Sequence, residues 1–422
     1  MRFLVITYYW PPAGGPGVQR WLKTSLALKE LGHDVEILTV DPKYATYPVQ
    51  DDSMLSEASA VKVHTTRARD WFGLYQKLTR RKEVPFSGFA NQAGRPGPIQ
   101  RLSRFIRGNF FLPDPRRGWN SFAIRKASQL ISEQTFDVIV TTSPPHSTHL
   151  IGLALKQKHQ CNWWADFRDP WTDIYYYDQF YPTRWARRID ANLERSVIQT
   201  ADKVIAVSAD LKRMLESKIN DGDGKFIEMP NGYDPADFDM NAPAPQNKVF
   251  TLVYTGTLSL VYPVEAMYTA IESVLQRGQP LKLQMAGRPA KECVDHLSGL
   301  AQQYEHFQFE SLGYLAHSES VKLLQNADAL LLLIPDLPNN KGILTGKLFE
   351  YIGSGRPVWG FGPENGDAQV ILNQAQAGQL FDTAEQAAAT LTDWMVRKPS
   401  GSNPAQREAY TRLGLAANLL AD

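Results

Sequence analysis

Four residues at the start of a predicted helix are the first candidates for chemistry. Thr345, Gly346, Lys347 and Glu350 follow an apolar run at 329–334 and a polar loop. The run has the length and composition of a strand buried on both faces of a parallel sheet. A helix that begins after such a strand presents free N–H groups and a positive dipole end, which bind phosphate. Glu350 would repel a phosphate, but its carboxylate can accept hydrogen bonds from a ribose diol. The stretch predicts a nucleotide site, with an ordinary α/β unit as the alternative.

A second group of polar residues follows strand-like runs in the N-terminal half. Asp166, Arg168 and Asp169 stand where one such run ends, and His146 and His149 begin the helix after another. Two carboxylates beside an arginine are costly to bury unless they pair with that arginine or with substrate hydroxyls. A structural ion-pair cluster is the alternative. Either histidine can act as an acid or base, although a histidine at a helix start is usually structural.

A loop rich in proline and glycine separates the first predicted strand from the first predicted helix. It covers 11–17 and contains Gly14 and Gly15, and a second strand-like run follows the helix. In doubly wound sheets, ligands bind at the carboxyl edge where this loop lies. The spacing lacks the GxGxxG pattern, so a dinucleotide is not favoured, while the glycines let another group approach the backbone. Glycines needed only for the turn are the alternative.

The elements that position these residues alternate between strand-like and helical patterns. Further strand-like runs in the first half lie at 61–64, 138–141, 162–167 and 204–207. After a linker rich in Pro, Ala and Asn, the pattern restarts with runs at 252–254, 281–285, 307–309, 329–334 and 358–360. Such alternation predicts parallel sheets covered by helices on both faces. The predicted fold class is α/β, with two Rossmann-like domains facing across a cleft.

The predicted domains are 1–227 and 228–422, and the last helix is expected to pack back on the N-terminal domain. A length of 422 residues agrees with two cores, and a net charge of +1 does not indicate nucleic acid as a partner. The two cysteines are too few for a disulfide framework or a metal cluster. The N-terminus does not have the composition of a signal peptide, and no apolar run approaches the roughly 20 residues that span a bilayer. These features predict a cytoplasmic protein without a metal site.

The segment 67–126 interrupts the first half and is rich in basic and aromatic residues. If the part around Arg104 is helical, Arg101, Arg104 and Arg107 lie near one face with Leu102 beside them. This is the pattern of an element that binds anionic lipid headgroups, which predicts a protein on the inner face of the membrane. A solvated basic face over a local aromatic core is the alternative. Single-stranded nucleic acid is disfavoured, because nothing else in the chain resembles an RNA-binding module.

Taken together, the motifs resemble those of the retaining glycosyltransferases of family 4, which have the GT-B fold. The phrases that carry the likeness are YYWPPAGGPGVQRWLKTSLALKELGHDVEILT, VIAVSADLKRML before MPNGYDPADF, LVYTGTL, and NADALLLLIPDL followed by KLFEYIGSGRPV. Each phrase is weak alone, but their order and spacing over nearly the whole chain are specific. The resemblance implies transfer of a sugar from a nucleotide-diphosphate donor to an acceptor hydroxyl with retention, without a metal or another cofactor.

The resemblance also implies roles for individual residues. Glu350 matches the second Glu of the family's E-x7-E motif, which binds the nucleotide ribose. The other donor-binding residues that it implies, for diphosphate, sugar or base, are Gly14, Gly15, Tyr314, Thr345, Gly346 and Lys347.

Three departures from the family pattern concern both substrates. Gly342 stands where the first Glu of E-x7-E is expected, and Thr257 stands where the family has an Arg. Arg288 is a candidate replacement cation for the leaving diphosphate. The family's cleft histidine is replaced by the sequence around Arg168. Because a carbohydrate acceptor offers hydroxyls, the candidate catalytic residues are Asp166, Arg168, Asp169 and His146.

The expected partners are a nucleotide-sugar donor, a glycan or lipid-linked glycan acceptor and an anionic membrane surface, as in synthesis of bacterial surface polysaccharide. Two other functions share the fold class. A nucleotide-sugar 2-epimerase would need no acceptor, and a subunit that only binds the nucleotide sugar would show no turnover.

Overall fold

The structure is a computed structural model that describes residues 1–47, 50–69, 97–220, 222, 224–239, 245–399 and 401–421. The chain forms two compact units. The first comprises Met1–Pro230 together with Ala416–Asp422, and the second comprises Asn231–Leu415. The linker that the sequence placed after 227 begins just beyond a short strand that belongs to the first unit.

The first unit contains a seven-stranded sheet in which all neighbouring strands are parallel. Its strands are β1 (Arg2–Ile6), β2 (Asp34–Val40), β3 (Lys62–Thr66), β4 (Val138–Ser143), β5 (Trp163–Phe167), β6 (Lys203–Ala206) and β7 (Phe226–Glu228). Their spatial order is β3-β2-β1-β4-β5-β6-β7, so the order reverses between β1 and β4. The carboxyl ends of the strands at such a switch point form a crevice suited to a ligand.

Helices connect these strands and cover the sheet. They are α1 (Pro16–Glu30), α2 (Leu55–Ala58), α3 (Pro98–Phe110), α4 (Asn120–Glu133), α5 (Ser147–His159), α6 (Arg184–Thr200) and α7 (Ala209–Glu216). Of the basic and aromatic segment 67–126, residues 70–96 lie outside the described residues.

The second unit contains a six-stranded parallel sheet of order β10-β9-β8-β11-β12-β13. Its strands are β8 (Phe250–Leu258), β9 (Leu281–Pro289), β10 (Phe307–Gly313), β11 (Ala329–Leu333), β12 (Val358–Phe361) and β13 (Gly378–Phe381). The remaining helices are α8 (Val264–Gln276), α9 (Lys291–Gln303), α10 (His317–Gln325), α11 (Gly346–Ser354), α12 (Asp367–Gln374), α13 (Ala384–Arg397), α14 (Pro404–Arg407) and α15 (Arg412–Ala421).

Burial on both faces explains the apolar composition of β11. Leu331 and Leu333 belong to one hydrophobic cluster, whereas Leu330 and Leu332 belong to the cluster on the opposite face. Successive side chains of a strand point to opposite faces, so a strand covered on both sides must be apolar throughout. The predicted α/β fold with two Rossmann-like units is confirmed.

Sequence patterns missed two of the four edge strands, β7 and β13. Each has only three or four residues, and Glu228 and Gln379 are not typical of a buried strand. Pairing with a neighbouring strand holds them, and that pairing is a tertiary effect. No helix among the described residues is long and apolar enough to cross a membrane.

Candidate functional site

The start of α11 presents unsatisfied polar groups at the carboxyl edge of the second sheet. Thr345 occupies the position before the first helical residue, but its side chain does not cap the helix. Its Oγ1 is buried and has no hydrogen-bond partner among the described residues. The first N–H groups of a helix have no partner within the helix. This end of α11 is therefore suited to an anionic ligand.

Lys347 lies against aromatic rings at the end of β8. Its Nζ is 4.1 Å from the ring centre of Tyr254 and 5.7 Å from that of Tyr262. Nζ donates to the Tyr254 hydroxyl at 2.5 Å and lies 3.5 Å from the carbonyl oxygen of Thr257. Burial lowers the pKa of Lys347 to about 7, and only the carboxylate of Glu350 acts in the opposite direction. The lysine is thus a partly desolvated cation.

Two glycines leave space for the side chain of Lys347 at the end of β8. Gly256 has a φ of +108, and a Cβ there would lie 2.6 Å from Cε of Lys347. Gly287 has a φ of +120, and a Cβ there would lie 2.2 Å from the carbonyl oxygen of Gly256. The phrases TGT and AGR therefore contain glycines because backbone and lysine approach each other closely at these positions. Sequence reasoning did not connect these glycines with Lys347.

Glu350 lies one turn further along α11 and is partly buried. Burial raises the pKa of its carboxyl group, while His317 on the neighbouring α10 lowers it and Asp237 raises it. His317 and Asp237 form an ion pair with each other at 3.3 Å. No hydrogen bond to the Glu350 carboxylate is found within the described part of the chain. Its oxygens are available to donors on a ligand.

The remaining predicted donor residues of the second unit lie at the same sheet edge. Thr257 of β8 is the register partner of Arg288 of β9, and both are exposed. Tyr314 follows β10 and is 79% exposed. Because the carboxyl ends of parallel strands meet at one edge, the structure brings these three residues to the edge at which α11 begins. Gly342 lies in a short 3-10 turn before α11, so no acid is present there.

The first unit contains a cavity of about 270 Å³ beside the switch point of its sheet. Four sequence-predicted residues line it: His146 and Arg168, which were predicted as catalytic residues, and Gly14 and Gly15, which were predicted as donor-binding residues. Gly15 has a φ of +106, which favours glycine, and a Cβ at Gly17 would lie 2.0 Å from Nη1 of Arg168. The glycine loop thus allows the guanidinium to lie against the backbone of α1.

Asp166 does not line this cavity. Its side chain is completely buried, and its carboxylate accepts hydrogen bonds from Nη2 of Arg20 at 2.6 Å, Nε1 of Trp21 at 2.6 Å and Oγ1 of Thr142 at 2.7 Å. Arg168 pairs instead with Asp169 at 2.9 Å. The carboxylate of Asp166 already accepts hydrogen bonds from three protein side chains, so it does not reach a substrate. Asp166 instead belongs to a buried structural ion-pair cluster.

The two histidines of the first unit differ in their surroundings. His146 lines the cavity and stacks on Trp171, with ring centres 5.1 Å apart. Its Nδ1 is buried without a partner among the described residues, and burial lowers its pKa to about 4. His149 is completely buried, lies 2.9 Å from Oγ1 of Thr141 and packs on Phe167. His149 does not line the cavity, so only His146 of the two histidines remains a candidate acid or base there.

Sequence reasoning missed a further carboxyl group in the cavity wall. Asp190 of α6 accepts hydrogen bonds from Nε1 of Trp171 and from the hydroxyl of Tyr177, both at 2.9 Å. Burial raises its pKa to about 6. No spacing in the sequence connects α6 with the loop after β5, so no local pattern could have identified this contact.

The predicted basic face of α3 is turned inward. Arg104 is buried, and the guanidinium of Arg107 packs over the ring of Phe180 at 4.0 Å. Burial lowers the pKa of Arg107 to about 10. The exposed residues of the helix include Arg101, Leu102, Phe105 and Phe110. The expectation that the three arginines share a lipid-facing surface is thus wrong, since Arg104 is buried and Arg107 packs on an aromatic ring.

Comparisons with known proteins agree with the fold. Residues 14–223 match the model of the glycosyl transferase 4-like domain. The chain is similar to a glycosyltransferase from Rickettsia africae, with 13% identity, a TM-score of 0.61, and coverage of 100% of this chain and 97% of that chain. It is also similar to the lipopolysaccharide outer core galactosyltransferase WaaB, with 12% identity, a TM-score of 0.59, and coverage of 100% and 98%. A third similar structure is HepE from Anabaena in complex with UDP-glucose, with 14% identity, a TM-score of 0.57, and coverage of 100% and 99%. No curated protein sequence matches the chain significantly.

Proposed function

We propose a donor, an acceptor and a reaction for this chain, whose residues 14–223 belong to the glycosyl transferase 4-like domain family. In this proposal, a sugar passes from a nucleotide-diphosphate donor to a hydroxyl of a glycan or lipid-linked glycan, with retention at the anomeric carbon. The second unit binds the donor, and the cavity of the first unit binds the acceptor.

One observation carries the donor assignment. The carboxylate of Glu350 and the ammonium of Lys347 lie on the first turns of one helix, and neither forms an ion pair within the described part of the chain. Desolvated charges without partners are unfavourable, so a ligand that pairs with both is favoured. A ribose diol donates to the carboxylate, and a diphosphate accepts from the ammonium and the helix N–H groups. HepE, which has a similar fold, binds UDP-glucose.

The same groups explain how the reaction would be accelerated. The bond between the anomeric carbon and the diphosphate oxygen breaks, and negative charge develops on the leaving group. The helix N–H groups of α11, Lys347 and Arg288 stabilise that charge more strongly in the transition state than in the ground state. The acceptor hydroxyl forms the new bond from the same face, and its proton passes to the leaving diphosphate. This route needs neither a metal nor a dedicated base.

The cavity of the first unit has the composition of a carbohydrate site. Tyr176 offers an aromatic ring to the apolar side of a sugar, and Arg168 offers hydrogen-bond donors to hydroxyls. His146 is mostly uncharged near pH 7 because burial lowers its pKa to about 4, so it can also accept a hydrogen bond from a hydroxyl. These residues, with Asp169 orienting Arg168, are the acceptor-binding candidates.

A lipid-linked acceptor is supported by an exposed basic and aromatic surface, which we call the α3–α6 surface. Helices α3 and α6 are joined where Asn109 donates to the carbonyl of Tyr181 and accepts from the backbone N–H of Thr183. The exposed residues of the α3–α6 surface are Arg101, Leu102, Phe105, Phe110, Tyr181, Arg184, Trp185 and Arg188. Aromatic side chains with arginines between them suit the interface of an anionic bilayer. We infer a role at the membrane, as in synthesis of surface polysaccharide.

The donor assignment is tested by a thermal-shift screen with UDP-, GDP-, ADP- and dTDP-sugars. We expect at least one of them to stabilise the wild-type protein. In Glu350→Ala the apparent affinity for that compound should fall about 10- to 100-fold, because two hydrogen bonds to a carboxylate are lost. Glu364→Ala is the matched control, since Glu364 is exposed in the same unit. If Glu350→Ala responds like wild type, or if no compound stabilises the protein, the donor site is assigned wrongly.

A further inference from the structure

The ammonium of Lys347 has a fixed position and an incomplete set of partners. An ammonium has three N–H donors. One donates to the Tyr254 hydroxyl, and a second is within 3.5 Å of the Thr257 carbonyl oxygen. No carboxylate among the described residues pairs with it, and Glu350 acts on it only through space. At least one N–H group of Lys347 and its positive charge are therefore available to a ligand.

The Tyr254 hydroxyl has a defined role in this arrangement. It donates to the carbonyl oxygen of Thr257 at 2.7 Å, so its oxygen can only accept from Lys347. Tyr254 is completely buried in the core of the second unit, which prevents the ring from moving. The lysine side chain crosses Gly256 and reaches the carboxyl end of β8. The hydrogen bonds thus run from Lys347 to Tyr254 and from Tyr254 to the backbone.

We propose that Tyr254 is a positioning residue that holds Lys347 at the end of β8 as the cation for the donor diphosphate, and that diphosphate binding draws a proton onto this lysine. The proposal rests on the proposed function, because it specifies how the donor site recognises the charged part of the nucleotide. Thr257 has no charged side chain, and it supplies only its backbone carbonyl to this arrangement. The ammonium at this end of β8 therefore comes from Lys347 of α11.

The expected pH dependence has a definite sign. The charged and titratable groups around Nζ are Tyr254 and Tyr262 beside it and Glu350 on the same helix, with His317, Asp237 and Arg412 beyond Glu350. In the free protein the pKa of Lys347 is lowered to about 7 because the ammonium is desolvated. A bound diphosphate supplies negative charge and raises that pKa. Affinity is then highest below about pH 7 and falls as the pH rises, by up to about tenfold per pH unit, until the higher pKa of the complex is reached.

The test is titration calorimetry of UDP, GDP and ADP, with the matching nucleosides, from pH 6 to pH 9 in buffers of different ionisation enthalpy. The variants are Lys347→Met and Tyr254→Phe. Tyr268→Phe is the control, because Tyr268 is a buried tyrosine of the same unit that stacks on His296 and does not contact Lys347.

We expect Lys347→Met to bind the best diphosphate about 10- to 100-fold more weakly, and Tyr254→Phe about 3- to 10-fold more weakly. Nucleoside affinity should be unchanged in both variants. Proton uptake above pH 7 should disappear in Lys347→Met, whereas Tyr268→Phe should behave like wild type. A purely structural role of Tyr254 would weaken nucleoside and diphosphate equally and would leave proton uptake unchanged.

The outcomes separate this proposal from the donor assignment. If a diphosphate binds the wild type and requires Glu350, but Lys347→Met binds it equally well, the role of Lys347 and Tyr254 is wrong and the donor site stands. If proton uptake on diphosphate binding persists in Lys347→Met, the proposed protonation of Lys347 is wrong. If none of the three diphosphates binds the wild type, both the donor site and this proposal are rejected.

Discussion

At the scale of single residues, neighbouring carboxylates acquire different functions from their surroundings. Asp166 and Asp169 are three positions apart, yet Asp166 is completely buried on Arg20 while Asp169 is partly exposed on Arg168. Arg20 also donates to the carbonyl oxygen of Pro230 at 3.3 Å, so the buried pair connects α1 and β5 with the end of the segment Met1–Pro230. Asp166 therefore stabilises the unit, and Asp169 remains beside the cavity.

This difference predicts the stability of two variants. Asp166→Ala should lower the free energy of unfolding by about 3–5 kcal/mol, because Arg20 is left buried without its partner. Asp169→Ala should lower it by less than about 1 kcal/mol, since that pair is partly exposed and screened. Urea denaturation followed by tryptophan fluorescence measures both values.

A double variant, Arg20→Met with Asp166→Leu, supplies the control. Removing both charges should recover much of the stability lost in Asp166→Ala, because no buried charge then lacks a partner. Equal losses in Asp166→Ala and Asp169→Ala would contradict the assignment of Asp166 as a buried structural residue.

At the scale of elements, the packing of α3 determines which of its residues are exposed and could contact a membrane. A helical projection groups Arg101, Arg104 and Arg107, but tertiary contacts bury Arg104 and stack Arg107 on Phe180. The helix instead exposes apolar residues, and α6 adds Trp185 beside two arginines. The α3–α6 surface is consequently more aromatic than the sequence pattern predicted.

Flotation with liposomes tests this surface. We expect the wild type to float with anionic liposomes at low salt and to dissociate as salt screens the arginines. Phe110→Ala and Trp185→Ala should each weaken binding roughly tenfold, because each removes a large apolar side chain from the interface. Phe110 is 73% exposed and Trp185 is 65% exposed. Val396→Ala is the control, since Val396 is 77% exposed on α13 of the second unit. A wild type that stays in the unbound fraction at low salt would exclude this role of the surface.

At the scale of the whole molecule, the groups that suit a nucleotide and the cavity that suits an acceptor belong to different units. The donor candidates of α11 and β8 lie in the second unit, whereas the cavity beside β1 and β4 lies in the first. Similar folds at sequence identities of 14% or less show the architecture of this chain but not its reaction. The reaction has to be measured.

A transfer reaction requires both substrates, which gives a direct test. With a suitable nucleotide sugar, we expect free nucleoside diphosphate to be released rapidly only when a glycan or lipid-linked glycan acceptor is added. Coupled detection of the diphosphate and chromatography of the sugar measure this outcome. A nucleotide-sugar 2-epimerase would interconvert its substrate without an acceptor, and a binding subunit would release nothing. Glu350→Ala should release the diphosphate at least about tenfold more slowly at limiting donor concentration.

The sequence by itself determined the alternation of strands and helices, because hydrophobic periodicity is a local property that burial on one or two faces imposes. It also determined the start of α11 and the placing of Thr345, Lys347 and Glu350 there, since strand, loop and helix follow one another in the single stretch 329–354. Only the tertiary structure decided that Asp166 pairs with Arg20, that Lys347 rests on Tyr254 and that Arg107 packs on Phe180. These partners are far apart along the chain, and the choice among many possible partners depends on the sheet order and helix packing that bring them together.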